Sequence, residues 1–514
     1  MKNKSYKYWL YFTFSIIFTI IFLCASFLCI RTIYNPRYMD KYILGTIFST
    51  CIFIFFVLFA SNKNLTERHL EFTSVFLIMA LNFILRWLSI HIMKTEQVSD
   101  FAAVHNAVAC FQSKGTVESE ALLRYFGNYY AKFPAWFPYM RLVSSFYELF
   151  CHGEINTEAV KYANAFLNTL TCGGIYYLGK SFFSKRVAYI ASLLYCCWPS
   201  LIIWTNITCP DHITMLLFVI QAALWYQIWK YKDNIKLCAF LICLHSIICA
   251  LINWFKPLVI LFLLVYAFYI IIIYDRQNKK NILIISTIYL VSFLICFKGG
   301  SKILEVWVEN YIQQDVVDST WYYLYVGNVM GSDGKMDTRK ADENAKEINR
   351  SHNDLEEQMN AYKEMAIIEF QKNKSKYPIL WLSKFNHAMN SEGNTFYWSN
   401  RNDDREYKHE LDDVLGLEQY FISNQYYLLI LICISLCAFS QIISTYQNKN
   451  IYYLFLTVSG YIAILVLGGV QSRYKLIITP YLALLSAYGV DFVFNTINKR
   501  LIPQNIAIKF DLFQ

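Results

Sequence analysis

The chain has 514 residues and a formal charge of +9, with 56% of its residues hydrophobic and 16% charged. Soluble domains carry roughly 25% charged residues, so the composition excludes a string of soluble domains and indicates a bilayer protein. Lys and Arg are spread between apolar runs instead of gathered into a basic domain, which argues against a nucleic-acid partner.

The first apolar run, Tyr8 to Ile30, follows Lys2, Lys4 and Lys7. It is long enough to cross about 30 Å of hydrocarbon, so it reads as a retained helix and not as a cleaved leader. Further runs begin near Tyr42, Phe72, Tyr162, Val187, Ile213, Leu237, Pro257, Ile282, Tyr426, Ile451 and Leu476. The predicted fold class is an all-α polytopic membrane protein of about twelve transmembrane helices, with interfacial helices and a mainly helical outer domain. A cytoplasmic N-terminus places Lys180, Lys185, Arg186, Lys230, Lys232, Lys236, Arg276, Lys279, Lys280, Lys449, Lys499 and Arg500 in inner loops, as the excess of cations on the cytoplasmic side requires.

That orientation divides the chain into a membrane domain over 1–298 with an outer loop at 93–161, an extracytoplasmic domain over 299–425, and C-terminal membrane helices over 426–514. The outer loop carries Tyr129, Tyr130, Phe133, Trp136, Phe137 and Tyr139, rings suited to the headgroup level, and predicts interfacial helices. In the second outer segment Leu355, Met359, Tyr362, Ala366 and Phe370 recur at helical spacing. They predict an amphipathic helix that packs on the membrane domain and ends before Pro378. Most of the fifteen cysteines fall in apolar segments and read as small hydrophobes; Cys110 and Cys151 share the outer loop, where pairing stays open.

Asp100, in Val98-Ser99-Asp100-Phe101, opens the outer loop just after the third apolar run. A sugar hydroxyl is a poor nucleophile at neutral pH, and a carboxylate in this place can take its proton as it attacks an anomeric carbon. A phosphate leaving group needs cations, and direct displacement inverts the anomeric centre. Taken alone, Asp100 reads equally as a loop carboxylate or a helix cap. Gln471-Ser472-Arg473-Tyr474-Lys475 stands at the outer mouth of the last run and sets two cations beside a ring, where Arg473 can grip phosphate bidentately. Interfacial anchoring is the competing reading for that segment, and for Lys256 at another outer mouth, a possible second phosphate partner.

Arg86 lies inside the third run, where burying a cation costs about 2.5 to 3.5 kcal/mol on insertion scales. It implies a polar cavity or a pairing partner, which His91 can share. Asp211 opens the sixth run, where a carboxylate suits the helix N-terminus as a cap. His245 reads as hydrogen-bonded packing. No cofactor is expected, and a divalent metal is unsupported because Asp100 has only Glu96 as a nearby carboxylate.

Together these segments resemble the C-type integral-membrane glycosyltransferases, especially bacterial relatives of the dolichyl-phosphate-mannose protein mannosyltransferases and of the lipid A aminoarabinose transferase. Ser99-Asp100-Phe101 with Ala107 and Gly115 resembles the family's first outer loop, whose acidic residue is catalytic; Phe133-Pro134 and Pro138 resemble its interfacial segment. Asn164 to Trp204, with Lys180, Arg186, Pro199 and Ser200, is similar to the paired helices that follow, while Pro378 through Lys384 and Arg473-Tyr474 with Pro480 resemble the later elements. The acidic loop here follows the third run instead of the first, and Phe101 stands where the protein mannosyltransferases have a second acid.

The resemblance implies a transferase at the cell membrane that takes a sugar from a polyprenyl-phosphate donor. Asp100 would be catalytic, and Arg473, Tyr474, Lys475, Lys256, Arg86 and Asp211 would bind substrate. The acceptor would be an extracytoplasmic glycan, lipid or protein. Competing readings are a lipid-linked sugar flippase or transporter, and a polysaccharide polymerase or ligase.

Overall fold

The computed structural model describes residues 2–33, 46–47, 49–55, 68–112, 119–273, 279–330, 339–352, 354–399, 417–444 and 448–501. Every regular element among them is helical, and eight helices are long and apolar enough to cross a membrane. These are α1 (Lys2–Ile33), α2 (Arg68–Met93), α9 (Asp211–Lys230), α10 (Ile235–Phe255), α12 (Lys279–Ile312), α18 (Leu417–Ile443), α19 (Lys449–Leu467), and a 3-10 turn (Ser472–Ile478) continuing into α20 (Thr479–Leu501). The chain is a multi-pass helical membrane protein. The run expected to begin near Tyr42 lies largely outside the described residues.

Three other expected spans, from Tyr162, Val187 and Pro257, differ from the simple reading. Helix α6 (Thr157–Phe182) has 26 residues, about 39 Å at 1.5 Å per residue, but its inward face buries Asn164, Asn168 and Thr171. The span predicted from Val187 is α7 (Lys185–Cys196), only 12 residues and too short to cross alone. It stops because Trp198 precedes a proline and takes an extended conformation, since the proline ring disfavours the helical region for its predecessor. Pro199 then starts the six-residue α8 (Pro199–Trp204). Helix α11 (Val259–Ile273) is a shorter apolar helix of 15 residues.

The core runs through the bundle, where α1 and α20 both pack on α18, α10 on α12, and α6 on α2, α7 and α9. At one end, Glu71 near the start of α2 takes both Lys180 and Lys185, the latter at 2.7 Å, and Arg186 meets Asp491 at 3.3 Å. At the other end, past Met93, the chain builds a cap of shorter helices: α3 (Asp100–Gln112), α4 (Ser119–Lys132), a 3-10 turn (Pro134–Trp136) and α5 (Phe137–Phe150). Joining them are α13 (Thr320–Asn328), α14 (Arg339–Ser351), α15 (Leu355–Asn373), α16 (Tyr377–Met389) and α17 (Gly393–Ser399).

The predicted amphipathic helix is α15. Asp354 caps it by accepting from the Glu357 amide at 3.2 Å, and Leu355, Met359 and Tyr362 are buried. Phe370 departs from the expected stripe: it is half exposed and rests on Tyr377 at 4.9 Å, past a short 3-10 turn that ends the helix before Pro378. Cys110 and Cys151 are not joined in a disulfide.

Candidate active site

Asp100 is the first residue of α3, and the loop before it is held from three sides. Lys94 and Ser99 bracket that loop in the left-handed region, at φ 44° and 54°, a conformation costing roughly 1–2 kcal/mol for a residue with a Cβ and persisting only where surroundings impose it. Those surroundings are specific. The Thr95 hydroxyl donates to the Ser399 carbonyl at 2.5 Å, and the buried Lys161 amine donates to the Thr95 carbonyl at 2.6 Å. The Gln97 amide donates to the Asn206 carbonyl at 2.8 Å and accepts from the Thr208 amide at 2.9 Å. Elements α6, α17 and the 206–210 turn thus set where Asp100 stands.

Around Asp100 the cap brings two tyrosines. Burial first, and then the Asp100 charge, hold the Tyr129 phenol above its usual value. The Tyr323 phenol is raised by burial, then by Tyr474 and Tyr322, and also by Asp100. Both therefore stay neutral and able to donate near the carboxylate.

Phe101 carries the link to the last span. Its ring lies 4.9 Å from the Arg473 guanidinium, which also meets Trp398 at 5.2 Å, Tyr474 at 5.5 Å and Trp204 at 5.9 Å. Arg473 is buried, its Nε donates to Gln471 Oε1 at 2.6 Å, and no carboxylate of the described residues lies within 4 Å of it. A guanidinium among rings keeps its charge at lower hydration cost than an ammonium does, so the cage presents a cation one residue away from the carboxylate-bearing position. Lys256 extends the cluster: its amine lies 5.8 Å from the Tyr474 ring and pairs with Asp211 at 2.9 Å. Asp211 sits in the first turn of α9, where a carboxylate suits the helix dipole, and Lys256 is its ion-pair partner.

Two expected members point elsewhere. In the 3-10 turn Lys475 faces away from Arg473, is buried, donates to the Ser391 carbonyl at 2.5 Å and lies 3.8 Å over the Tyr427 ring. The two cations do not form one phosphate grip, because a 3-10 helix turns by about 120° per residue. Near Lys475 is Glu392, fully enclosed, accepting from Ser200 at 2.5 Å and from the Trp198 indole at 3.1 Å. Burial raises its carboxyl against the pull of Lys475, Ser200 and Trp198.

Arg86 is buried inside the bundle, donating weakly to the carbonyls of Asn82 at 3.3 Å and Cys196 at 3.4 Å, with the Tyr195 ring 5.5 Å away. His91 is exposed against Trp87 at 4.3 Å and does not share its environment. His245 is bonded to Gln221 at 2.7 Å within the core. Sequence reading passed over Tyr323, Trp398 and Gln97 as site-forming residues; the aromatic density of Phe396-Tyr397-Trp398 was a local signal, whereas nothing local marks Gln97.

Fold and site together define a multi-pass helical membrane protein with a carboxylate and a caged arginine at one end of its bundle. No protein-family profile matches the chain, and no curated protein matches it. The structure is similar to the oligosaccharyltransferase of Archaeoglobus fulgidus solved with zinc and sulfate, at 13% identity and TM-score 0.36, over 71% of this chain and 41% of that one. It is also similar to ArnT of Cupriavidus metallidurans bound to undecaprenyl phosphate, at 14% identity and TM-score 0.37, over 84% of this chain and 81% of that one. The chain spans less than half the length of the archaeal protein.

Proposed function

We propose that the chain is a membrane glycosyltransferase that moves a sugar from a polyprenyl-phosphate donor to an acceptor on the extracytoplasmic side of the cell membrane. The observation that carries this reading is that Asp100 opens the helix whose next residue, Phe101, lies 4.9 Å from the Arg473 guanidinium. Asp100 takes the proton of the acceptor hydroxyl while its oxygen bonds to the anomeric carbon. The bond from that carbon to the phosphate oxygen breaks, and the polyprenyl phosphate leaves with the electron pair and its added charge facing Arg473. Attack opposite the leaving group inverts the anomeric centre. Tyr474 backs the guanidinium, and Lys256 contributes positive charge already balanced in part by Asp211.

The distribution of basic residues supports the orientation, since Lys180, Lys185 and Arg186 cluster at the end of the bundle opposite Asp100. A transporter would place Arg86 along a passage, whereas its side chain is enclosed by packed helices. The testing experiment is transfer from polyprenyl-phosphate sugars by purified Asp100→Asn, with donor affinity measured alongside. The amide keeps the size of the carboxylate but accepts no proton, so turnover should fall roughly 10²- to 10⁴-fold with donor binding retained. Wild-type turnover in this variant would remove Asp100 from the mechanism.

A further inference from the structure

Helix α3 has two working faces. At about 100° per residue, Ala102 and Asn106 turn away from Phe101, which faces Arg473, and with His105 they line a cavity of about 550 Å³ flanked by the ends of α2 and α6. The volume falls within the range of small-ligand sites, about 300–1,000 Å³. The loop that leads into Asp100 forms part of its wall, through Thr95, Glu96 and Gln97.

One wall of the cavity is a hydrogen-bond chain whose direction can be deduced. Gln97 Oε1 only accepts, so the Thr208 hydroxyl donates to it at 2.8 Å. That hydroxyl then accepts from His105 Nε2–H at 2.7 Å, and His105 Nδ1 accepts from the Tyr147 hydroxyl at 2.7 Å. The imidazole is neutral in this chain, as burial and then Lys161 hold it down to about 4. Its polar atoms are committed to the wall.

What faces the cavity beyond that wall is mixed and balanced. Lys94 and Lys161 are matched by Glu96 and Glu158, so the lining has no surplus of cations for a polyanion. Lys161 is buried and uses one amine hydrogen on Thr95, and an ammonium carries three. Asn106 offers both a donor and acceptors, and the rings of Tyr162 and His91, 6.1 Å apart, supply flat apolar surface. Donors, acceptors and a ring face without net charge are the features that bind a neutral polyhydroxylated ring. Resting on the transferase reading above, we infer that this cavity is the acceptor subsite, and that it takes a neutral sugar ring of a glycan acceptor. From Gln97 to Asp100 the chain spans at most about 11 Å, so a hydroxyl on the seated ring, or on the next ring along, reaches the carboxylate.

The test uses the full chain in lipid nanodiscs with undecaprenyl-phosphate hexoses as donors. Acceptors are methyl hexosides, octyl hexosides and a Ser/Thr-rich peptide, and donor loss to water is read in the same reactions. Asn106→Ala and Glu158→Gln should each raise the acceptor KM about tenfold, the worth of a hydrogen bond to a ligand, with kcat and donor hydrolysis unchanged. Preference for octyl over methyl hexosides identifies a lipid-anchored sugar, and equal use identifies a free glycan; either supports the subsite. An unmoved KM in both variants, or use of the peptide alone, overturns it while leaving the transferase reading intact. Absence of wild-type turnover of any donor overturns both.

Discussion

Arg473 is surrounded by four rings within 6 Å and one amide oxygen, and this environment suits a planar, weakly hydrated cation. A lysine there would keep the charge but lose the fork and the stacking. Arg473→Lys should therefore weaken polyprenyl-phosphate binding about tenfold or more, and Arg473→Ala further, since a hydrogen bond to a charged group contributes about 1.5–3 kcal/mol. Unchanged affinity in both variants would reduce the residue to an interfacial anchor. A second cation in the cap, Lys384, is buried and donates to Asn328 Oδ1 at 3.0 Å, and burial lowers its amine to about 7. The unfolded chain holds this proton up to about 10.4, so between pH 7 and 10 the unfolded state binds more protons and stability rises with pH. Below pH 7 both states carry the charge and this contribution is absent. Thermal melts of the protein and of Lys384→Met across that range should show the rise in the former and a smaller one in the latter.

Helix contacts in this bundle depend on where a side chain is missing. A Cβ at Gly489 of α20 would lie 1.9 Å from the Cys433 carbonyl oxygen of α18, a backbone atom that no rotamer change can move. Small residues permit such close approach between membrane helices, so Gly489→Ala forces α18 and α20 apart and should lower the melting temperature clearly. At Gly299 in α12 a Cβ meets nothing within 4 Å, and Gly299→Ala should be neutral or stabilising by up to about 1 kcal/mol through helix propensity. Equal melting temperatures for the two variants would refute the packing argument. Asn156, Ser184 and Asn234 are of the residue types that suit a helix N-cap, and each accepts the amide three residues on in α6, α7 and α10. The early end of α7 was less legible, because hydropathy continues through Trp198 while the backbone does not.

At the scale of the molecule, the proposed orientation makes an independent prediction. A cysteine introduced at Lys340, in the helical cap, should react with a membrane-impermeant thiol reagent on intact cells. Labelling only after cells are broken would invert the topology and place the proposed site on the cytoplasmic side. The test matters because the orientation rests on the distribution of charge and on no contact within the fold.

The apolarity of the spans, and the choice of Asp100 and Arg473 as residues of interest, were determined by the sequence itself, whereas of about twelve expected runs eight are helices long and apolar enough to cross among the described residues. Hydropathy is a sum over neighbours in the chain, and an acid or a guanidinium beside an apolar run is conspicuous by type. Which way each side chain faces was decided only by tertiary structure. Lys475 stands two residues from Arg473 yet turns to Ser391 and Tyr427, and Asp211 at the start of α9 meets Lys256 at the end of α10. The loop before Asp100 is held by Ser399, Lys161, Asn206 and Thr208. These partners are far apart in sequence, and their pairing depends on how buried polar groups find partners once the helices have packed.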